Sequence, residues 1–295
     1  MKDYVIVSDS CVDLPADLAT ELGLQILPLK VSFEGKEFQN FLDEREIKTT
    51  DFYQTLRNHI KTSTAQATPA DFINIFDPIL ASGKDILSIS FSSALSGTYH
   101  SSLMAKKELD NQYKDSKIEC VDSLCASMGQ GLLVYYAAKL KQKGASLQEV
   151  KEYVVKTRQQ LSHLFTVDDL GHLRRGGRLS AGKEFIGNLL NVKPLLHVST
   201  EGKLTVYGKA RGRIKSLHSL VARLAETIDL GKEQYIFISH GDALEDALFV
   251  KELVKNKLQI EDDHFVINPI GPVIGSHSGA GTIAIFYIGN ERIAQ

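Results

Sequence analysis

Short apolar runs of strand length alternate with segments of helical periodicity through the first half of the chain. The run at residues 86–91 is the clearest, and a helical pattern follows it to about residue 110. Residues 4–8 and 118–121 are two further runs of this kind, and each precedes a helical segment. Because alternating strands and helices build parallel sheets, the pattern predicts a parallel-sheet α/β domain over residues 1–160.

The pattern changes after residue 160. Residues 193–198 and 203–207 have the composition of two strands joined by a hairpin at Glu201-Gly202. Further strand candidates follow at residues 235–239, 265–267 and 282–288, with helical segments between some of them. The second half, residues 161–295, is therefore predicted to be an α/β domain with a mainly antiparallel sheet.

Polar pairs follow three of the predicted strands in the first half. They are Asp9-Ser10, Ser92-Ser93 and Asp122-Ser123. In a parallel sheet the ligand crevice lies outside the carboxyl ends of the strands, so recurring Asp and Ser at those ends favour a binding edge. The alternative is that these residues begin turns and cap helices, as Asp and Ser commonly do.

A hydroxyl-rich turn, Ser96-Gly97-Thr98, stands where a helix is predicted to begin. The first turn of a helix has unpaired N–H groups and the positive end of the helix dipole, so this turn would suit a carboxylate or a phosphate. Local capping by Ser96 or Thr98 is the simpler alternative.

A glycine-rich segment at residues 270–281 places His277 between two predicted strands and is expected to form a loop. Glycine permits close approach of a ligand, and histidine can donate to an oxyanion near neutral pH. A competing hypothesis is an acyl hydrolase or transferase with Ser93 or Ser96 as nucleophile and His277 as base. The sequence has no Gly-x-Ser-x-Gly elbow to support it.

Arginines cluster at the turn 174–178, and Arg211 begins a similar Arg-Gly-Arg segment. Such arginines can clamp a phosphate or carboxylate, which leaves a phosphate-ligand sensor as a third hypothesis, but arginines at helix ends are also often simply solvated. No Walker A or Gly-x-Gly-x-x-Gly motif follows a strand, so no nucleotide cofactor is expected.

Composition narrows the class of protein further. The chain has 295 residues and a formal net charge of -2 without basic clusters in a tail, so a nucleic-acid partner is not expected. Three cysteines without zinc-like spacing indicate a reducing compartment and no metal site. With neither a signal-peptide pattern nor an apolar stretch of membrane-spanning length, a soluble cytoplasmic protein is expected.

Six motifs, spread in order over nearly the whole chain, resemble those of the DegV family. They are VIVSDSCVDLP at 5–15, LSGTY at 95–99, RGGRL at 175–179, LNVKP at 190–194, RG at 211–212 and GSHSG at 275–279. The resemblance implies a bacterial fatty-acid-binding protein of two α/β domains with the ligand between them. It also implies no cofactor and no catalytic turnover of its own.

The resemblance assigns roles to particular residues. The segment TAQATP at 64–69 matches a family motif and implies that Thr64 binds the carboxylate of a long-chain fatty acid together with Ser96 and His277. Headgroup-facing or partner-facing roles are expected for Ser93, Gly97 and Arg211. The predicted second domain would cover the acyl chain, with tunnel candidates at Phe185, Ile186, Leu189 and Leu190, although such a stripe is more often plain core.

Some members of the family serve as the acyl-carrying subunit of fatty acid kinase. They present the carboxyl group to a separate ATP-binding subunit, which makes acyl-phosphate for phospholipid metabolism. The expected partners are therefore a long-chain fatty acid, this kinase subunit and, transiently, a membrane surface.

Overall fold

The computed structural model describes residues 2–179, 191–290 and 292. The first half alternates strands and helices as the apolar pattern predicts. Its elements are β1 (Tyr4–Asp9), α1 (Ala16–Glu21), β2 (Gln25–Leu27), β3 (Leu29–Phe33), β4 (Lys36–Asn40), α2 (Thr49–Arg57), β5 (Ser63–Ala65), α3 (Pro69–Ala81), β6 (Asp85–Ser90), α4 (Thr98–Leu109), β7 (Ile118–Asp122), α5 (Met128–Gln142) and α6 (Leu147–Thr157).

Four of these strands form a parallel sheet in the order β2-β1-β6-β7. Every residue of β6 is buried, including Ser88 and Ser90, because helices cover both faces of a parallel sheet. The predicted parallel sheet of the first half is confirmed.

A small antiparallel sheet, β4-β3-β5, was not predicted. The sequence at residues 61–67 reads as a polar linker, yet its centre forms β5 and pairs with β3, with Thr64 opposite Val31. The three residues of β5, two of which carry hydroxyls, have no alternating apolar pattern that would reveal a strand. The pairing comes from the neighbouring strand and not from local preference.

The second half contributes β8 (Leu161–Thr166), α7 (Gly171–Arg175), β9 (Val192–Val198), β10 (Leu204–Arg211), α8 (Arg213–Thr227), β11 (Ile236–His240), α9 (Leu244–Leu258), β12 (Phe265–Pro269), α10 (Pro272–Ser278) and β13 (Ile283–Ile288). Six strands form a sheet in the order β10-β9-β8-β13-β11-β12. All neighbours are antiparallel except β11 and β12, so the mainly antiparallel sheet and its β9–β10 hairpin are confirmed. The domain boundary at residue 160 stays a prediction.

The helix α5 connects the two larger sheets. It contacts β8, β11 and β13, and most of its side chains are buried. Tyr135 of α5 packs against Phe237 of β11 with ring centroids 5.5 Å apart. A single apolar core therefore includes residues of both sheets, such as Ile89 of β6 and Phe286 of β13, while α8 and α9 cover a second core on the other face of the antiparallel sheet.

The segment that carries His277 is a helix and not the loop expected from its composition. Gly271 is the N-cap of α10, Pro272 occupies the first turn and Gly279, with φ 82°, ends the helix. Proline at the start and glycine after the end are regular helix signals. Gly275 within this segment and the glycines at its two ends hid a helix of only seven residues. The tunnel candidates at 185, 186, 189 and 190 lie outside the described residues.

Candidate functional site

A cavity lies between the parallel and the antiparallel sheets. It encloses about 830 Å³ of space free of protein atoms, part of it open to solvent. Most of its lining is apolar and comes from both halves of the chain: Leu29, Phe91, Leu95, Phe165, Leu173, Val198, Leu204, Ile270, Val273, Ile274, Ala284 and Phe286. A cavity with this lining suits an elongated apolar ligand.

The three residues expected to bind a carboxylate, Thr64, Ser96 and His277, all line this cavity. They come from β5, the loop before α4 and the last turn of α10, segments far apart in the sequence. Thr64 Oγ1 and His277 Nε2 share a hydrogen bond of 2.8 Å. The fold thus brings the predicted site residues into one wall of the cavity.

His277 is held in its neutral form. Burial, together with the nearby positive charge of Arg178, lowers the pKa of the His277 imidazole to about 4. At neutral pH one ring nitrogen therefore carries a proton and the other does not. Its Nδ1 lies against Gly176, where a Cβ would overlap it, and Nδ1 has no hydrogen-bond partner among the residues described.

Ser96 lies just before α4, which begins at Thr98, a few residues later than its apolar pattern suggests. Ser96 Oγ lies 3.0 Å from Thr98 Oγ1 and accepts a hydrogen bond of 3.3 Å from Thr98 N. Part of the simpler alternative therefore holds, because Ser96 does bind a first-turn N–H group. A hydroxyl both donates and accepts, so this bond leaves capacity for a ligand.

The loops on either side of this wall are joined by Gln66 and Thr98. Gly97 N donates to Gln66 Oε1 at 3.1 Å, and Ala67 N donates to Thr98 Oγ1 at 3.3 Å. A Cβ at Gly97 would overlap the Gln66 amide, so glycine permits this close approach. Gln66 itself lines the cavity, and it belongs to the segment 64–69 that matches a family motif, from which only Thr64 was assigned a role.

Arg178 is a cation close to the cluster, and its charge acts on His277. It lines the cavity, donates from Nε to Leu95 O at 3.0 Å and from Nη1 to Gly176 O at 2.6 Å. From the arginine turn, the sequence left open which side chain, if any, faces a ligand. The structure places Arg178 there and Arg175 at the surface, 3.9 Å from Asp169.

The other residues expected near the headgroup or a partner do not line the cavity. Ser93 donates its backbone N–H to Asp122 Oδ1 at 3.1 Å, and Arg211 is exposed at the end of β10. Gly97, next to Ser96 in the chain, donates its backbone N–H to Gln66. Their partner-facing roles stay predictions.

The strand-end carboxylates pair with the backbone of neighbouring turns. Asp9, fully buried, accepts hydrogen bonds from the backbone N–H groups of Phe91 at 2.8 Å and Cys11 at 3.1 Å, and burial raises its pKa. Asp122 accepts from Ser93 N and Leu124 N. These carboxylates hold the turns after β1, β6 and β7, and none of the six residues lines the cavity.

The described ranges hold neither a metal-binding cluster nor a membrane-spanning helix. No group of three or more His, Cys, Asp or Glu side chains there is arranged to hold a metal ion. Among the same residues, no helix combines the length and the apolar composition needed to cross a bilayer.

Fold and site together define an α/β protein with a parallel and a mainly antiparallel sheet, and with an apolar cavity that has one wall of hydroxyl, amide, imidazole and guanidinium groups. The chain belongs to the DegV family, whose sequence model, described as "Uncharacterised protein, DegV family", matches residues 3–290. It is 43% identical over 292 residues to a DegV domain-containing protein of Clostridium perfringens, with 99% of each chain covered.

Solved structures with the same fold are fatty-acid-binding members of this family. A DegV family protein from Thermus thermophilus, described by its fatty acid binding, superposes with a TM-score of 0.87 at 29% identity, covering 98% of this chain and 100% of its own. DegV from Bacillus subtilis, described as a fatty acid binding protein, gives a TM-score of 0.83 at 27% identity with the same coverage. The family expected from the motifs, and the α/β fold with a parallel and a mainly antiparallel sheet, are thereby confirmed.

Proposed function

We propose that this protein binds a long-chain fatty acid and presents its carboxyl group to a separate fatty acid kinase subunit for phosphorylation. Thr64, Ser96 and His277 hold the carboxylate and the apolar cavity holds the acyl chain. The protein acts as a carrier in the cytoplasm, with transient contact to a membrane surface when it exchanges its ligand. It has no catalytic turnover of its own and uses no cofactor.

The observation that carries the proposal is the hydrogen bond between Thr64 and His277 on the wall of an otherwise apolar cavity. A carboxylate needs several donors. Ser96 Oγ supplies one, and when His277 Nε2–H donates to Thr64 Oγ1 the Thr64 hydroxyl proton supplies another; the charge of Arg178 offsets the ligand's negative charge. Each buried methylene of the chain adds about 0.8 kcal/mol. Fatty acid binding by the relatives from Thermus thermophilus and Bacillus subtilis supports the same ligand here.

The position of the polar wall supports the carrier role. Ala65 and Gln66, which line the cavity beside Thr64, are also exposed at the surface. A carboxylate held at Thr64 would therefore lie close to solvent, where a separate kinase can reach it, while the chain stays covered. Arg211, exposed at the end of β10, is proposed to face that partner.

The competing hydrolase hypothesis finds less support in the geometry. Among the described residues no hydrogen bond joins Ser96 to His277, because Ser96 pairs with Thr98 and His277 with Thr64. No described acidic side chain contacts Nδ1 of His277 to orient the ring as a base.

The test is to extract the purified protein with organic solvent and to identify the extract by mass spectrometry. We expect about one fatty acid per chain in the wild type and a large loss in Thr64→Ala/Ser96→Ala. The double variant Thr205→Ala/Ser219→Ala, which changes the same residue types away from the cavity, is the matched control. Absence of lipid from the wild type, with no uptake when palmitate or oleate is supplied, would overturn the proposal.

The kinase step needs its own measurement. Loaded protein mixed with the ATP-binding kinase subunit should yield acyl-phosphate, trapped with hydroxylamine, and protein alone should yield none. Hydrolysis of an acyl ester by the purified protein, lost in Ser96→Ala, would instead support the hydrolase.

A further inference from the structure

Asp13 is a buried carboxylate that the proposed site does not use. It follows the turn after β1, has a φ of 49°, in the left-handed region, and is 2% exposed. Non-glycine residues rarely adopt this backbone conformation, and a carboxylate is rarely buried to this degree, so the fold must provide compensating contacts. Those contacts lead from the parallel sheet to the helix that carries His277.

The Asp13 carboxylate joins segments of both halves of the chain. One oxygen accepts from Ser127 Oγ at 2.6 Å, and the other accepts from Gly271 N at 3.0 Å. Ser127, just before α5, also lies 3.0 Å from Ser239 Oγ of β11. The backbone carbonyl of Asp13 accepts from Asn268 Nδ2 of β12 at 2.8 Å.

The hydrogen bond from Gly271 N to Asp13 links this carboxylate to the helix that carries His277. It is the N-cap of α10, and a Cβ on it would lie 2.8 Å from Asp13 Oδ1, so Gly271 and the carboxylate are in close contact. Tyr53 Oη donates to Ile270 O at 3.0 Å and supports the same turn. A helix of seven residues is about 10 Å long, so fixing its first turn fixes His277 in its last turn.

We propose that Asp13 is a positioning residue of the fatty acid site, which acts through Gly271 and α10 to set His277 opposite Thr64. The inference rests on the proposed function for its ligand and on the contacts of Asp13 for its geometry. The carboxylate at the helix start also faces the positive end of the α10 dipole, which favours the same arrangement.

The hydrogen bonds of Asp13 with Ser127 and Gly271 can form whether its carboxyl group is charged or protonated. Its ionisable neighbours are Asp9 and Cys11 on its own segment and Tyr53 from α2, none of them a cation. Burial and the charge of Asp9 raise its pKa to about 7. A protonated Asp13 can donate to Ser127 Oγ, which then donates to Ser239, while the bond from Gly271 N remains.

Because these contacts do not require a negative charge, asparagine should replace Asp13 with little loss of fatty acid binding. In Asp13→Asn the amide nitrogen can donate to Ser127 Oγ while Oδ1 still accepts from Gly271 N. In Asp13→Ala both bonds are lost. A positioning role therefore distinguishes these two variants, whereas a role that needs the negative charge would make both defective.

The experiment measures palmitate affinity, by displacement of a fluorescent fatty acid, and the ring 15N NMR signals of His277, assigned by their absence in His277→Gln. We expect Asp13→Ala to bind palmitate about tenfold more weakly and to shift the His277 signals, because the ring is displaced from Thr64. Asp13→Asn should stay within about twofold of the wild type. So should Val250→Ala, which opens the separate core under α8 and α9.

A double-variant comparison separates positioning from general damage. If Asp13 acts through His277, adding Asp13→Ala to His277→Ala should weaken binding by no more than about twofold further. Fully multiplicative losses, unshifted His277 signals in Asp13→Ala, or equal defects in Asp13→Asn and Asp13→Ala would overturn the proposal.

Two safeguards keep the test decisive. If Asp13→Ala does not fold, Gly271→Ala replaces it, since its Cβ presses on Asp13 Oδ1 and should shift the same His277 signals. Unshifted signals there would also overturn the proposal. If the wild type binds no fatty acid, the proposed function fails, and the His277 signals still test the positioning role by themselves.

Discussion

Two groups of polar side chains lie close to the cavity, and they differ in what their hydrogen-bonding atoms face. The strand-end carboxylates, Asp9 and Asp122, accept from backbone N–H groups of neighbouring turns. Thr64, Ser96 and His277 contact other side chains and line the cavity itself. The first group organises the turns, and the second group has donors left for a ligand.

The comparison shows that a polar residue at a strand end is informative only when its partners are known. Asp9 ends β1, and Ser96 belongs to the turn between β6 and α4. The Asp9 oxygens are occupied by Phe91 N, Cys11 N and Gln130 Nε2, whereas the Ser96 hydroxyl is hydrogen-bonded only within its own turn. Substitutions in the first group should therefore affect stability, and substitutions in the second group should affect binding.

The largest expected effect is on folding, from Asp9→Ala. The change leaves buried N–H donors without an acceptor, and we expect the free energy of unfolding to fall by about 3 kcal/mol in urea denaturation. Asp9→Asn should also be destabilising. Phe91 N and Cys11 N donate to different oxygens of Asp9, so the amide nitrogen that replaces one oxygen leaves one of these donors without an acceptor. A loss below about 1 kcal/mol in both variants would contradict this assignment.

The next effect is on ligand affinity, from Thr64→Ala. Removing the hydroxyl eliminates one donor to the carboxylate and the partner of His277, so we expect about tenfold weaker palmitate binding and less than about 1 kcal/mol change in stability. Thr205→Ala on β10, half-buried but outside the cavity, is the control. Equal affinities in the two variants would remove Thr64 from the proposed site.

A third prediction concerns the pH dependence of stability. The pKa of His277 is about 4 in the folded protein, below its ordinary value of 6.5, so between these values the unfolded chain takes up the proton more readily. The contribution of neutral His277 to the free energy of unfolding is fully present above about pH 6.5 and is lost as the pH falls toward 4. Burial of His163 and His197 lowers their pKa in the same direction.

His277→Gln isolates this contribution from the other histidines. Its stability should fall less steeply than that of the wild type between about pH 6.5 and 4, with a difference on the order of 1–3 kcal/mol at the acid end. Denaturation midpoints measured along a pH series give the comparison. Parallel curves for the two proteins would show that His277 is not held neutral by burial.

Sequence reasoning reached the sheets and the ligand wall by different routes. Apolar runs such as residues 86–91 predict the parallel sheet because burial on both faces leaves a continuous apolar signal. Thr64 came from a family motif, since its strand has no apolar pattern and is defined only by pairing with β3. The helical state of the His277 segment escaped prediction because its glycines mask a helix that the Asp13 and Tyr53 contacts hold at its start.

The smallest expected effect comes from Gly97→Ala. Gly97 has a φ of -74°, so alanine is not strained there, but its Cβ would overlap the Gln66 amide and break the 3.1 Å bond from Gly97 N. Because the Gln66 side chain is exposed and can move away, we expect only about two- to threefold weaker palmitate binding.

Gln66→Ala tests the cause of that effect. It removes the amide that the Cβ added in Gly97→Ala would displace, so Gly97→Ala should cause no further loss in the Gln66→Ala background. A further loss in this background would mean that the helix start itself, beside Ser96, is disturbed. Gly97 would then belong to the residues that position the ligand, and its role would not be limited to joining the two loops through Gln66.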